Sequence, residues 1–360
     1  MAFQKNEQLR LHTETLAPRQ TVAKHPQVGD RTRDLICRMT TPQFIQLYQH
    51  NAAAVAQELL QGLNAPQAFT SPKYLYDALG SRLFEAITEL PEYDLTRTEA
   101  QLMRLHSADM ARHLPTGACW IDLGAGNCEK AGRLLGPLQA GRYVAVDISV
   151  DFVRQALDSL QRQHPGLPMT GLGTDFSGGL DLPDALGLDT AQPRVLFYPG
   201  SSIGNFTPDQ ALGFLQSLHR ACGTTPGSGL LIGVDLLKDP AELEAAYDDA
   251  LCVTAAFDLN LLLHINRLVG SNFAVRDWRH LSRFNAEQSR VEMHLQARHA
   301  VRVQWPGGER LFAEGETIHT ENACKWTVPN FEALLRSAGF AQTRVWTDPA
   351  QRFAMFWATA

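Results

Sequence analysis

The stretch Trp120-Ile-Asp-Leu-Gly-Ala-Gly-Asn-Cys-Glu-Lys130 narrows the possible folds more than any other part of the chain. An apolar run enters a glycine turn, and a helix-forming segment follows. Such a strand–turn–helix unit lets a ligand approach the backbone closely, because glycine carries no Cβ. Tyr143-Val-Ala-Val-Asp147 repeats the apolar run and ends in a carboxylate. An acid at that spacing binds ribose hydroxyls. The loop departs from the dinucleotide fingerprint at one position. Where a third glycine would stand there is Glu129, followed by Lys130. A carboxylate at a helix start competes with a pyrophosphate for the positive helix end. An adenosyl ligand that has no phosphate and a cationic sulfur meets no such conflict. The loop from Gly124 and Gly126 to Glu129, with Asp147 after it, therefore favours S-adenosylmethionine (SAM) over NAD.

Strand and helix signals alternate from Cys119 onward. The expected strands are Cys119-Leu123, Tyr143-Asp147, Met169-Gly173, Val195-Tyr198 and Leu230-Asp235. This pattern predicts an α/β fold with a parallel sheet covered by helices on both faces, and a ligand at the carboxyl ends of the strands. The alternation stops near residue 240. Glu242 to Leu268 reads as one or two helices, and His280 to Val303 alternates like strand, with Pro306-Gly-Gly308 as a turn. A helix near Asn330-Ala338 and two strands, Gln342-Thr347 and Arg352-Ala358, close the chain. Two final strands joined by Asp348-Pro349 fit the antiparallel hairpin that ends many SAM-dependent methyltransferase sheets. The expected architecture is a Rossmann-like SAM-dependent methyltransferase sheet with a second, mixed α+β substrate-binding domain. Its expected boundaries are 99–239 and 323–360 for the SAM domain, 36–98 and 240–322 for the substrate domain, and 1–35 for a loose, polar N-terminal arm.

Three helix starts are expected in the first hundred residues. Thr41-Pro42 reads as a cap and first turn before Phe44, Ile45, Tyr48, Val55, Leu59 and Leu60. Ser71-Pro72 opens a helix through Tyr74, Leu79 and Ile87. Thr96-Arg-Thr-Glu99 reads as a capping box before Leu102, Leu105 and Met110.

Composition excludes several roles. The formal net charge of the 360 residues is −6 with no basic block, which argues against tracking nucleic-acid phosphates. No apolar run is long enough to span a bilayer, and the polar N-terminus does not read as a secretory signal. The six cysteines form no Cys-x-x-Cys pair, so reduced thiols are expected rather than a zinc site or disulfide framework. No metal is expected. The expected protein is a cytoplasmic monomer that acts on a small molecule, with neither nucleic acid nor membrane as partner.

Several blocks outside the cofactor loop are more specific. They are Tyr76-Asp-Ala-Leu-Gly-Ser81, Leu90-Pro-Glu-Tyr93 with Thr96-Arg97 and Glu99, Gly200-Ser-Ser-Ile-Gly-Asn-Phe206 and Asp235-Leu-Leu-Lys-Asp239. Ala246-Tyr-Asp-Asp249, Glu292-Met293 and Thr320-Glu-Asn-Ala-Cys-Lys325 follow in order. Together they resemble the histidine Nα-methyltransferases of ergothioneine biosynthesis, which make the trimethylated betaine of histidine. The resemblance runs from about Ser71 to the end. It implies that Gly124 and Lys130 hold the methionine end of SAM, that Asp147 binds the ribose, and that Asp175 and Phe176 contact adenine. Tyr76 would sit at the substrate amine, with Tyr93 lining the pocket. Asn205 and Tyr247 would hold the carboxylate beside Gly200. Met293 and Glu321 would surround the imidazole. Tyr76 and Asn205 would be the groups closest to the chemistry.

One departure bears on the substrate. Two residues after Glu321 the family places a serine that also reaches the imidazole, and here that position is Ala323. A lost buried hydrogen bond costs roughly 0.5–1.5 kcal/mol. Water or Asn322 would have to replace it, or the pocket would suit another aromatic amino acid such as tryptophan or tyrosine. Without the resemblance, the three tyrosines read as core residues, Met293 as strand packing and Glu321 as a surface carboxylate. Two other readings stand beside the enzyme. One is a catalytically silent SAM-binding partner protein, against which the retained tyrosines and Asn205 speak. The other is a nicotinamide dehydrogenase, against which Glu129 speaks.

Overall fold

A computed structural model describes residues 40–47, 51–148 and 150–360, with the side chains of 150–152 excepted. The expected arm 1–35, Cys37 and Tyr48 lie outside the described residues. In chain order the strands are β1 (Gln43–Gln46), β2 (Ala68–Phe69), β3 (Cys119–Leu123), β4 (Arg142–Asp147), β5 (Met169–Gly173), β6 (Arg194–Tyr198) and β7 (Gly229–Asp235). Then come β8 (Trp278–Asn285), β9 (Arg290–Ala297), β10 (Val301–Trp305), β11 (Gly308–Phe312), β12 (Thr317–Cys324), β13 (Gln342–Thr347) and β14 (Phe353–Thr359). The helices are α1 (Ala52–Leu63), α2 (Ala78–Ile87), α3 (Leu95–His113), α4 (Glu129–Leu135), α5 (Val150–Gln163), α6 (Pro208–Cys222), α7 (Pro240–Tyr247), α8 (Val253–Val269) and α9 (Val328–Ser337).

The main sheet has the order β1-β5-β4-β3-β6-β7-β14-β13. Strands β1 to β7 within it run parallel, and β14 and β13 return antiparallel. All residues of β3, β5 and β7 are buried, as expected of strands covered on both faces. The chain winds outward from β3 in both directions, through β4 and β5 on one side and β6 and β7 on the other. The topological switch therefore lies at the carboxyl end of β3, where the glycine loop begins. This is the expected Rossmann-like α/β sheet with its terminal antiparallel hairpin. The Asp348 carboxylate closes that hairpin by accepting N–H groups of Ala350, Arg352 and Phe353.

A second sheet has the order β2-β12-β9-β8, and β10 and β11 pair as a hairpin across the Pro306-Gly307 turn. The two sheets meet at one seam. Beyond β12, Trp326 bridges to Leu236 just past β7, and the Trp326 N–H donates to Asp235 O. The helical turn Ser202–Asn205 after β6 presses on the end of β12. A Cβ at Gly204 would come within 3.1 Å of Cys324 O.

Three expected elements are corrected. Residues 43–46 are not helix but the edge strand β1, paired parallel to β5 with Phe44 opposite Gly171. The Phe44 ring covers the bare face of Gly171, where a Cβ would sit 2.7 Å away, so a local cap signal loses to a tertiary slot. The helix starts instead at Ala52, where Asn51 accepts N–H groups of Ala53 and Ala54. The expected helix from Ser71 is broken: Pro72–Leu75 form one tight helical turn and α2 begins at Ala78. The break depends on Gly80, since a Cβ there would lie 1.8 Å from Leu75 O. The Thr96–Glu99 capping box does not form. Helix α3 starts at Leu95, and Glu99 is turned into the core.

Candidate active site

The glycine loop lies between β3 and α4. Gly124, Gly126 and Cys128 have φ of 71°, 51° and 57°. A Cβ at Gly124 would meet only Phe176, at 3.9 Å, so the face of the loop is open to a ligand. The Gly126 N–H donates to Asp147 Oδ2 at 3.1 Å, which fixes the carboxylate at the end of β4. Beneath the loop the Tyr143 hydroxyl donates to Asp122 at 2.7 Å, and burial raises that carboxyl to about 7. Asp175 accepts the Ser177 N–H and hydroxyl, at 2.9 and 2.6 Å, and meets Lys73 at 3.4 Å. Burial opposes its ionisation, but these partners hold it below the usual carboxylate range. Phe176 beside it stands edge-on to Tyr198.

Lys130, in the first turn of α4, pairs with Glu99 at 2.7 Å. Glu99 is 1 % exposed, and its other oxygen accepts the Gly200 N–H at 2.7 Å. One buried carboxylate thus joins the cofactor loop to the loop after β6. Gly200 has φ 78°, and a Cβ there would come 2.9 Å from Lys130 Nζ. Two carboxylates, Asp147 and Asp175, an aromatic face, an open glycine loop and a single lysine suit SAM. Glu129, the residue that argues against pyrophosphate, lies on the surface and pairs with Arg133.

Next to this crevice is a cavity of about 580 Å³, counted to its open mouth. Its wall includes Tyr76, Tyr93, Gly200, Asn205, Tyr247, Met293, Glu321 and Ala323, eight positions spread over 248 residues of sequence and drawn from the second sheet, the segment after β6, α7 and the loops flanking α2. Each is aimed by a local device. Tyr76 stands in the break before α2, whose cap Asp77 donates nothing and accepts from Gly80, Asn260 and Arg267. Tyr93 is on a loop held by Arg97, which donates to Leu90 O and Pro91 O. Asn205 ends the helical turn after β6. Tyr247 ends α7, and its carbonyl accepts from His280 at 2.8 Å.

Glu321 owes its direction to an irregularity. The β12–β9 register shifts between His319 and Glu321, after which Glu321 stands opposite Met293 and Ala323 opposite Val291. Such a bulge re-aims side chains. Glu321 and Ala323 then share the cavity face, while Asn322 points to the other side of the strand. Asn322 therefore does not replace the missing serine, and the wall at Ala323 is apolar. The Asn205 amide donates to Glu321 Oε1 at 3.2 Å. Burial pushes the Glu321 carboxyl up to about 8, the nearby Asp258 adds to this, and Lys325 and the Asn205 bond oppose it.

The aromatic wall is interlocked. Tyr76 packs edge-to-face on Phe84 and Phe257, each at 5.5 Å, and Tyr93 on Tyr247 at 6.0 Å. Tyr76 keeps 39 % of its surface exposed, yet its hydroxyl lies on the enclosed side near Glu321, Tyr93 and Tyr247. Burial raises the pKa of all three tyrosines, so their hydroxyls stay protonated. Among the described residues there is no cluster that could hold a metal ion and no helix long and apolar enough to cross a membrane. Five cysteines are described and all are free.

The family model of histidine-specific, SAM-dependent methyltransferases matches residues 55–360. The chain belongs to that family. It is a SAM-dependent methyltransferase. A histidine N-alpha-methyltransferase of Mycolicibacterium smegmatis is 38 % identical over 310 residues, covering 84 % of this chain and 94 % of that protein. One of the same name from Mycobacterium tuberculosis is 36 % identical, over 84 % of this chain and 94 % of that protein. The ergothioneine biosynthesis protein 1 of Neurospora crassa is 32 % identical, over 76 % of this chain and 31 % of that longer protein. Membership sets aside the dehydrogenase and the silent partner.

Within this methyltransferase, three site features escaped the sequence reading. Phe84 and Phe257 line the cavity, but their spacing is that of ordinary core residues. Glu99 stood out as half of a capping motif and as the end of the Leu90–Glu99 block, with no site role attached. Lys325 closes the Thr320–Lys325 block, and it too lines the cavity.

Proposed function

We propose that this enzyme transfers methyl groups from SAM to the α-amine of free L-histidine, three times in succession, giving the trimethyl betaine used in ergothioneine biosynthesis. The observation that carries the proposal is the cavity itself, where a buried carboxyl group on an amide (Glu321 on Asn205) meets three tyrosine hydroxyls beside the cofactor crevice. The names of the relatives from the two mycobacterial species support the same substrate. In this reading the second sheet and helices α1, α2, α7 and α8 serve the amino acid, and the main sheet serves the cofactor.

Asp147 would hold the ribose, Asp175 and Phe176 the adenine, and Lys130 with the Gly124 loop the methionine end. Bound SAM supplies an electrophilic methyl on a cationic sulfur. Everything else falls to the chain. Asn205 and Tyr247 hold the substrate carboxylate and so fix the amine in line. Met293 and Glu321 hold the imidazole. Glu321 at about 8 is neutral at pH 7, and a neutral carboxyl can either donate its O–H to a bare imidazole nitrogen or accept a hydrogen bond from the ring N–H. An ionised carboxylate beside the amine would stabilise the ammonium and oppose its deprotonation. The Tyr76 hydroxyl instead accepts from the ammonium, and the proton leaves to water at the open mouth of the cavity. The tyrosine and phenylalanine faces accommodate the growing alkylammonium by cation–π attraction of about 0.5–2 kcal/mol.

Incubation with SAM and separate amino acids, followed by mass spectrometry, tests the proposal. Three added methyl groups on histidine are expected. Ala323 favours a second reading, in which the ring is that of tryptophan or tyrosine. Methyl gain on either of these with none on histidine would move the assignment there. We also take the enzyme as monomeric and cytoplasmic, a view supported by its free, mostly buried cysteines. Light scattering on the purified protein tests the monomer.

A further inference from the structure

We infer that Lys325 is a positioning residue for the substrate carboxylate: it fixes which way the Tyr247 hydroxyl points. The inference rests on the proposed placing of the carboxylate at Asn205 and Tyr247. The side chain of Lys325 is 1 % exposed, and its Nζ lies 2.8 Å from Asp235 Oδ2 and 3.0 Å from Tyr247 Oη. An ammonium only donates, so Tyr247 Oη is the acceptor in that bond. The phenol keeps its own proton for another partner. No side chain or carbonyl among the described residues accepts it, and the residue lies on the cavity wall. A carboxylate entering the cavity would supply the acceptor.

The ion pair behind Lys325 holds it in place. Asp235 is shared by two cations, Lys325 and Lys238, the latter at 2.8 Å from Oδ1. Lys238 continues to Asp94, Asp94 to Arg352, and Arg352 to Glu242. The chain of charges alternates in sign and sums to zero, so Lys325 acts on the cavity as a fixed N–H donor to Tyr247 Oη and not as a net charge.

The test compares histidine with histamine, which differs only in lacking the carboxylate. Affinities are measured by calorimetry on the full chain with S-adenosylhomocysteine bound. Lys325→Met is expected to weaken histidine at least tenfold and to change histamine less than twofold. The double variant Lys325→Met/Asp235→Asn removes both charges of the buried pair, guards against misfolding of the single variant, and is expected to show the same change in ratio. Equal weakening of both ligands would mean a structural role only and would overturn the inference, as would no change in either. Tyr247→Phe separates the two layers of argument. If it leaves the histidine-to-histamine ratio untouched, the carboxylate assignment itself is wrong. If it shifts the ratio and the Lys325 variants do not, only the role of Lys325 falls.

Discussion

Replacing Glu321 by glutamine should stabilise the unliganded enzyme, and increasingly so as the pH rises. A carboxyl at about 8 in the folded chain and 4.5 in the unfolded one is neutral in both states at pH 4. Between 4.5 and 8 the unfolded chain releases its proton while the folded chain keeps it. Each pH unit in that window lowers folding stability by about 1.4 kcal/mol, giving a ceiling near 5 kcal/mol, and above 8 the loss is complete. Glutamine can accept the same Asn205 bond and has no proton to lose, so the variant escapes the penalty. With an unfolding entropy of about 2.1 cal/mol/K per residue, a domain of this size shifts by roughly 1.5 °C per kcal/mol. Thermal melts of both proteins across pH 5 to 9 should show a gap that widens by about 2–7 °C up to pH 8 and then levels off. Histidine binding should weaken in the same variant. A gap that is flat with pH, or largest at pH 5, would refute the claim that Glu321 is a buried, neutral acid.

Three further outcomes are expected. Asp147→Ala should lower affinity for S-adenosylhomocysteine at least tenfold in calorimetry while leaving the melting temperature nearly unchanged, because its partner is the ligand-facing loop. Glu99→Ala leaves a backbone N–H at Gly200 and the ammonium of Lys130 without their carboxylate. It should cost about 1–3 kcal/mol in urea unfolding and weaken both cofactor and amino-acid binding, whereas effects on only one ligand would show that the two sites are not joined through it. Gly80→Ala places a Cβ 1.8 Å from the Leu75 carbonyl, so α2 must shift. The variant should lose more than about 3 kcal/mol of stability, beyond the usual range for one substitution, and an unchanged midpoint would show that the break before α2 is not enforced there.

The main sheet was legible because buried parallel strands read as unbroken apolar runs, and Cys119–Leu123 and Met169–Gly173 match their expected limits to the residue. The opposite holds for β1. Gln43-Phe-Ile-Gln46 is a half-buried edge segment whose conformation depends on the bare face of Gly171, more than a hundred residues away. Local cap chemistry was outweighed in the same manner at Glu99, where the Lys130 ammonium and the Gly200 N–H compete better than a helix end. The cavity positions came from ordered blocks of sequence, not from periodicity, since tyrosines and a methionine at helix and strand spacing look like core. What no pattern discloses is the bulge before Glu321, which moves one residue across the strand. Once Glu321 is placed on the cavity face, ordinary strand alternation turns Asn322 away from it.

The same strand has a consequence for how such a fold can diversify. Side chains at 321 and 323 face the cavity, while Cys324 packs on the turn that carries Asn205 and its thiol donates to the Phe206 carbonyl. Recognition and anchorage thus occupy interleaved positions of a single ribbon. A lineage can retune its taste for one aromatic nutrient over another at the first pair without unpicking the suture held by the rest, and the methyl donor's berth need never register the change.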